Sequence, residues 1–94
     1  MIVSYRDKRS REFAGGGRVK AFSGIERALR LKLDRLESAV VLHDLAALPG
    51  NRLEALRGDR KDEYSIRVND RWRICFRWET GASGPSEVEV VDYH

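Results

Sequence analysis

The stretch RVNDRWRICFRWE, residues 67–79, alternates cationic and apolar side chains. Trp72, Ile74, Phe76 and Trp78 fall on one parity, and Arg71, Arg73 and Arg77 on the other, with Cys75 among them. Successive side chains of a strand point to opposite faces, so this spacing predicts a strand with an apolar back and a cationic front. Neighbouring guanidinium groups repel one another unless an anion lies between them. Their planar fork can donate two N–H bonds to one phosphate or carboxylate. What covers the back, and which anion meets the front, decide the fold and the function in turn.

The flanking segments keep the same period. In EYSIRV, residues 63–68, Tyr64, Ile66 and Val68 share one face, and Ser65 and Arg67 the other. Asn69-Asp70 between the two strands predicts a tight hairpin turn, because both residue types tolerate φ > 0. TGASGPS is a loop, and EVEVVDY is a last strand with Val88 and Val90 on one parity. Upstream, GDRKD is a turn. NRLEALR places Leu53 and Leu56 on opposite parities and reads as a weak strand. MIVSY at the start is β-branched and reads as an edge strand.

The cover for the apolar back is a helix. Ser23 and Glu26 have the S-x-x-E spacing of a capping box. Ile25, Leu29, Leu33, Leu36 and Val40 follow at helical steps and form one stripe. Arg27, Arg30, Lys32, Asp34 and Glu37 take the wet side. Val41, Leu45 and Leu48 continue the spacing until Pro49-Gly50 ends it. Residues 6–14 predict a short polar helical turn, followed by the flexible joint Gly15-Gly16-Gly17. No GK[ST] follows those glycines, so they do not make a P-loop. The expected fold is α+β: an antiparallel sheet of three to five strands, packed on one face by one or two helices from the N-terminal half. The open face then carries Arg67, Arg71, Arg73 and Arg77.

At 94 residues the chain is expected to be one domain, residues 1–94. With 41% hydrophobic and 35% charged residues it is too apolar for a disordered tail. A net charge of +3 favours an acidic partner: nucleic acid, a phosphate or an acidic protein. Cys75 is the single cysteine, which excludes an internal disulfide and reads as a packed small residue. No apolar run has the length of a membrane span, and the N-terminus lacks the apolar stretch of a secretory signal. A cytoplasmic location without membrane attachment is the expectation. His43, His94 and Cys75 make no metal-ligand pattern, so no metal or other cofactor is expected.

The chain ends VVDYH, with Asp92, Tyr93 and His94 in consecutive positions. Cleavage of RNA without a metal needs a base for the 2′-OH, cations for the phosphorane charge and an acid for the leaving 5′ oxygen. Arginines together with these three residues contain all the groups required. The competing reading makes the arginines solvated strand residues paired with cross-strand Glu or Asp, for which Glu63, Glu87 and Glu89 are available.

LEALRGDRKDEYSIRVNDRWRICFRW, residues 53–78, followed by the terminal VEVVDYH, resembles the RelE superfamily of toxins, in its HigB (plasmid-maintenance killer) branch. The L-x-G-D-R turn, the S-I-x-V-x-x-x-W-R-I-x-F hairpin and the final D-Y-H stand in family order and spacing. The first 22 residues add little to the likeness. The resemblance implies a ribosome-dependent mRNA endonuclease (an mRNA interferase) that cuts the message in the decoding site, among rRNA. The products would be a 2′,3′-cyclic phosphate and a 5′-OH. It also implies a helix-turn-helix antitoxin of HigA type, and operator DNA bound through the toxin–antitoxin complex.

Carried over by position, Arg73 is expected to contact the scissile phosphate, and Asp92, Tyr93 and His94 to form the terminal triad. In that triad His94 is the acid, Asp92 the base or an orienter, and Tyr93 a stacking or hydrogen-bonding group. Arg57 takes a basic position of the family. Arg60, Arg67, Arg71 and Arg77 complete the expected phosphate-binding set. Some HigB toxins carry His just before the basic position, where this chain has Glu54. Glu54 is then either the base or the mark of a mild toxin. Two rival readings stand beside the nuclease. One is a catalytically weak antitoxin-binding module acting mainly in operator autorepression, and the other is a plain nucleic-acid-binding domain.

Overall fold

The computed structural model describes residues 1–92. Among them the alternating segments form one antiparallel sheet in the order β1 (Glu54–Ala55), β2 (Glu63–Arg67), β3 (Trp72–Arg77) and β4 (Ser86–Asp92). Ile66 pairs with Ile74, and Ile74 with Val90; all three are fully buried on the back of the sheet. Phe76, Trp78 and Val88 join them in one core cluster with Leu29, Leu33 and Leu36. Those leucines come from α2 (Glu26–Ser38). This is the α+β arrangement expected from sequence, with the helical side covering the apolar face; on the other face, expected to be open, Ser65 and Cys75 are buried beneath the charged side chains.

The N-terminal segment covers the outer edge of β4. Val3 N donates to Pro85 O at 2.8 Å, Val88 N to Ser4 O at 3.1 Å and Arg6 N to Val88 O at 2.9 Å. The expected edge strand is reduced to a parallel bridge between Tyr5 and Val88. Helix α1 (Lys8–Ala14) follows, capped by Asp7, and its buried Ser10 Oγ accepts a bond from Val90 N at 3.0 Å. An edge whose N–H and C=O groups are satisfied in this way cannot template pairing with another chain.

Several local expectations change. The Ser23–Glu26 capping box does not form: α2 starts at Glu26, with Ile25 as an N-cap that makes no side-chain bond. Phe22 explains this. It is fully buried, edge-on to Phe13 at 5.7 Å and to Trp72 at 5.6 Å, and it sits in a 3₁₀ turn, Lys20–Phe22, that Ser23 terminates. Core packing fixes the backbone there and overrides the local signal.

The long helical run is also interrupted. Ala39 turns extended, and Asp44 Oδ2 accepts the N–H groups of Val40 at 2.9 Å and Val41 at 3.2 Å, starting α3 (Leu42–Ala46). These backbone bonds hold the Asp44 carboxyl below its ordinary pKa. Val40 is consequently 74% exposed instead of completing the apolar stripe.

Lys32, expected on the wet side, is buried. A 3₁₀ turn, Pro49–Asn51, supplies its acceptors: Lys32 Nζ donates to Gly50 O at 3.0 Å and to Asn51 Oδ1 at 2.9 Å. Arg35 donates to the same oxygen at 3.2 Å, and Asn51 Nδ2 donates to Leu45 O at 3.1 Å. Asn51 therefore ties α2, α3 and the approach to β1 together.

The β2–β3 hairpin turns by a different device from the one expected. Neither Asn69 nor Asp70 has positive φ. Instead Asn69 Oδ1 accepts Arg71 N at 2.9 Å and Trp72 N at 2.7 Å, so the side chain closes the turn in place of a left-handed backbone. No helix among the described residues is long and apolar enough to cross a membrane.

Candidate functional site

Arg73 is the best-held cation of the open face. Its Nε donates to Ser65 Oγ at 2.9 Å, and its Nη2 to Arg52 O at 2.7 Å and Ser65 O at 3.3 Å. Only 12% of its side chain is exposed. Ser65 stands on the front of β2, and Arg52 adopts a left-handed conformation (φ 45°) at the end of the Pro49–Asn51 turn. Its Nη1 has no protein acceptor among the described residues. Glu54 Oε1 lies 3.8 Å from Arg73 Nη2, on a carboxylate 66% exposed.

Arg67 stands directly opposite Arg73 in the β2–β3 register. Like charges in such a pair are destabilising unless each has a counter-ion. Arg67 takes Asp70 and Arg73 takes Glu54. Just before β3, Arg71 holds Asp92 through both carboxylate oxygens: Nε to Oδ1 at 2.8 Å, Nε to Oδ2 at 3.0 Å and Nη2 to Oδ2 at 2.8 Å. Those bonds, and the charge of Asp92 after them, raise the Arg71 pKa above its ordinary value.

The parity of β4 places Asp92 on the Trp72 side of the sheet, since the two are register partners. The β4 irregularity lies at the other end, between Cys75 and Arg77, where Glu87 has φ 53°. Val88, Val90 and Asp92 keep regular alternation beyond it. Asp92 is the last described residue of β4, and its side chain is 27% exposed.

The hairpin end of the sheet thus gathers Glu54, Arg67, Arg71, Arg73 and Asp92. The remaining sequence-derived positions stand elsewhere. Arg77 is four strand residues from Arg73, roughly 13 Å away, and pairs with Glu79 at 2.8 Å. That hydrogen bond is the main cause of its raised pKa. Arg60 donates to Glu63 Oε1 at 3.1 Å. Exposed Arg57 leaves β1 toward the Glu63 end, since Leu56 N bonds Glu63 O at 2.9 Å. Tyr93 and His94 lie outside the described residues.

Glu63, Glu87 and Glu89 do not pair with the strand arginines. Arg6 lies 3.5, 3.6 and 3.8 Å from the three in turn, and Arg60 shares Glu63. The front arginines do pair with carboxylates, as the competing reading holds, but the partners are Asp70, Asp92, Glu54 and Glu79 and not these three glutamates. Arg6 arrives over the β4 edge from the N-terminal segment, a placement that strand alternation does not encode. Ser65 and the Arg52 carbonyl were missed as well. Ser65 shares the front parity of Arg73, a signal that was available. The Arg52 carbonyl depends on a left-handed backbone residue, which no local motif announces.

Cys75 is buried in mid-strand, and burial pushes its thiol pKa up, so it is no nucleophile. Among the described residues no three His, Cys, Asp or Glu side chains are grouped to hold a metal.

A family model for the RelE-like toxin of the type II toxin–antitoxin system HigB matches residues 3–94. The chain belongs to the HigB-like toxin family. Toxin HigB-1 of Vibrio cholerae is 38% identical over 85 residues, which cover 88% of this chain and 90% of that protein. An uncharacterised protein of Haemophilus influenzae is 35% identical over 57 residues, 61% of this chain and 56% of its own length. The HigB-like family match extends through the N-terminal segment, α1 and α2, and is not confined to the hairpin and the terminal motif. As the toxin of a type II system, this HigB-like chain has an antitoxin partner.

Proposed function

We propose that this toxin is a ribosome-dependent mRNA endonuclease whose site is the hairpin end of the sheet. The observation that carries the reading is the fixing of Arg73: two backbone carbonyls and the Ser65 hydroxyl hold Nε and Nη2, while Nη1 is left for a phosphate oxygen. A guanidinium held in this way does not need to reorganise as charge develops on the phosphorane.

In the proposed reaction a carboxylate takes the proton of the 2′-OH. The 2′ oxygen attacks phosphorus, the bond to the 5′ oxygen breaks, and an acid protonates the leaving oxygen. The products are a 2′,3′-cyclic phosphate and a 5′-OH. We assign the base to Glu54, which is exposed beside Arg73, and not to Asp92. A carboxylate bound at both oxygens by Arg71 is a poor proton acceptor. Asp92 then orients the end of the chain. His94 as the acid and Tyr93 as a stacking group rest on sequence position alone. No cofactor enters any step.

The ribosomal decoding site, rRNA, a helix-turn-helix antitoxin of HigA type and operator DNA are the proposed partners. The cytoplasm is the proposed location. Mapping message ends in a translating extract tests the reading, with the Arg73→Ala protein as the control.

One observation favours a second reading. Each arginine of the front face already has a carboxylate: Arg67 has Asp70, Arg71 has Asp92, Arg73 has Glu54 and Arg77 has Glu79. A face neutralised in this way suits a catalytically weak module that works through antitoxin and operator. Message cleavage by the wild-type protein separates the two readings, since the module cuts little or nothing.

A further inference from the structure

The front-face arginines are each paired with an acid, which leaves a local excess of positive charge elsewhere to draw this protein to a polyanion. Residues 7–20 contain five cations (Lys8, Arg9, Arg11, Arg18 and Lys20) against two carboxylates, Asp7 and Glu12. Their formal +3 equals the net charge of the whole chain, and the other residues sum to zero. All five cations are exposed. Two have local acids: Lys8 lies 3.8 Å from Glu12, and Arg9 lies 3.3 Å from Asp7. Among the described residues Arg11, Arg18 and Lys20 have no ion pair, and Arg18 and Lys20 line one recess of ≈ 340 Å³ with Val19, Ser23 and Glu26.

The segment is built against the rest of the fold. Arg30 of α2 donates to Phe13 O at 2.6 Å and Ala14 O at 3.2 Å, satisfying carbonyls at the end of α1. The same guanidinium covers the Phe13 ring at 4.3 Å. Lys20 opens the turn that ends in Phe22.

The segment is also continuous with the hairpin end of the sheet. Arg9 lies over Phe22 at 5.2 Å and donates to Val90 O at 3.4 Å. Phe22 meets Trp72 at 5.6 Å, and Trp72 is the register partner of Asp92.

We infer that the α1-to-Lys20 segment is a second nucleic-acid surface. It binds RNA backbone phosphates through Arg11, Arg18 and Lys20 and delivers the strand to the Arg71–Asp92 rim. This deepens the nuclease reading, since RNA as the polyanion rests on it. Binding along this strip is electrostatic and indifferent to base, and it does not require Arg73.

Binding of a labelled uridine oligomer is measured between about 50 and 200 mM salt without ribosomes, beside cleavage in a translating extract. For Arg11→Gln/Arg18→Gln/Lys20→Gln the slope of log K against log salt should shrink by about 2, at roughly 0.7 per lost phosphate contact. Arg11→Lys/Arg18→Lys should keep the wild-type slope, because a point charge suffices. Arg73→Ala should keep most of the slope while abolishing cleavage. An unchanged slope in the triple Gln variant overturns the inference. So does equal binding of a glutamate polymer of matched length and charge, because an acidic protein partner would then fit the strip as well as RNA does. Strip-dependent binding by a wild-type protein that cuts no message would leave the surface standing and remove the nuclease. Cutting with strip-independent binding would do the reverse.

Discussion

Arg71 and Asp92 lock the free end of the β3–β4 pair, with three charge-assisted contacts of 2.8–3.0 Å between one guanidinium and one carboxylate. The pair joins the residue that leaves the hairpin turn to the last described residue of β4. It holds the strand end from which Tyr93 and His94 continue. Asp92→Asn should therefore act on toxicity more than on stability. The Arg71 side chain is 62% exposed, and solvent-exposed ion pairs contribute little to folding. Growth arrest on induction and a thermal melt check this, the expected outcome being weakened arrest with a nearly unchanged midpoint.

Ser65→Ala removes the acceptor for Arg73 Nε on a side chain only 12% exposed. An orphaned donor in such a place destabilises by ~1–3 kcal/mol. The looser guanidinium should lower cleavage by up to ~10²-fold, the scale of effect of misplacing a catalytic group by an ångström. Ser65→Thr, which restores a hydroxyl, should recover most of the activity. Arg73→Lys should not, because an ammonium lacks the fork that spans Ser65, Arg52 O and a phosphate together. Single-turnover cleavage rates and urea melts measure both effects.

Glu54→Gln tests whether Glu54 is the base or only the counter-ion of Arg73. As the base, Glu54 contributes roughly 10²–10⁴ in rate, and its loss should remove cleavage on that scale. If the carboxylate only neutralises Arg73, the variant should bind RNA more tightly and cut as before. Rates and RNA affinities measured on one preparation decide between them.

Lys32 yields a pH prediction. Burial first, then Arg35 and Arg67, hold its pKa below the ordinary 10.5. The unfolded chain therefore binds more protons between the lowered value and 10.5, and the stability contributed by this site rises with pH through that window. Tyr5 works oppositely: burial and then Glu37 raise its pKa above 10.0, partly offset by Arg30, so its contribution falls as pH rises through the same region. The wild-type curve mixes the two, and the difference between wild type and Lys32→Met isolates Lys32. That difference should grow in favour of wild type from neutral pH toward about 10.5, read by denaturant unfolding. Asn51→Ala, which takes an acceptor from both Lys32 and Arg35, should destabilise by ~1–3 kcal/mol with no specific loss of cleavage.

The termini give a test that needs no side-chain change. Met1 is 76% exposed, so an N-terminal tag has room, whereas a C-terminal tag is joined two residues after Asp92, the partner of Arg71. Toxicity should fall far more with the C-terminal tag.

Much of this was legible in the sequence. Period-two alternation gave β2, β3 and β4, because a half-buried antiparallel strand has to show it. The Leu29/Leu33/Leu36 stripe placed α2 for the same reason. What stayed hidden was settled by tertiary contacts. Phe22 fixed a 3₁₀ turn where a capping box was written, and Asp44 captured two N–H groups and split a helix. The Pro49–Asn51 turn offered acceptors that drew Lys32 inward. At the site, parity put Arg67 and Arg73 on one face and could have added Ser65. It could not pair Arg71 with Asp92, since a turn residue has no strand parity, nor bring Arg6 over an edge to Glu63. The sequence offered Arg18 and Lys20 beside the glycine connector as possible anion contacts, but their weight depends on how thoroughly the sheet arginines are neutralised, which only side-chain geometry reveals.

The most direct test is 5′-end mapping of a defined message in a translating extract, with wild-type toxin and with Arg73→Ala. Wild type should produce new ends within the reading frame, bearing 5′-OH and dependent on ribosomes, and Arg73→Ala should lose them by on the order of 10²-fold or more. An intact message under wild-type toxin, or equal cutting by the Arg73→Ala protein, would contradict a nuclease centred on that guanidinium.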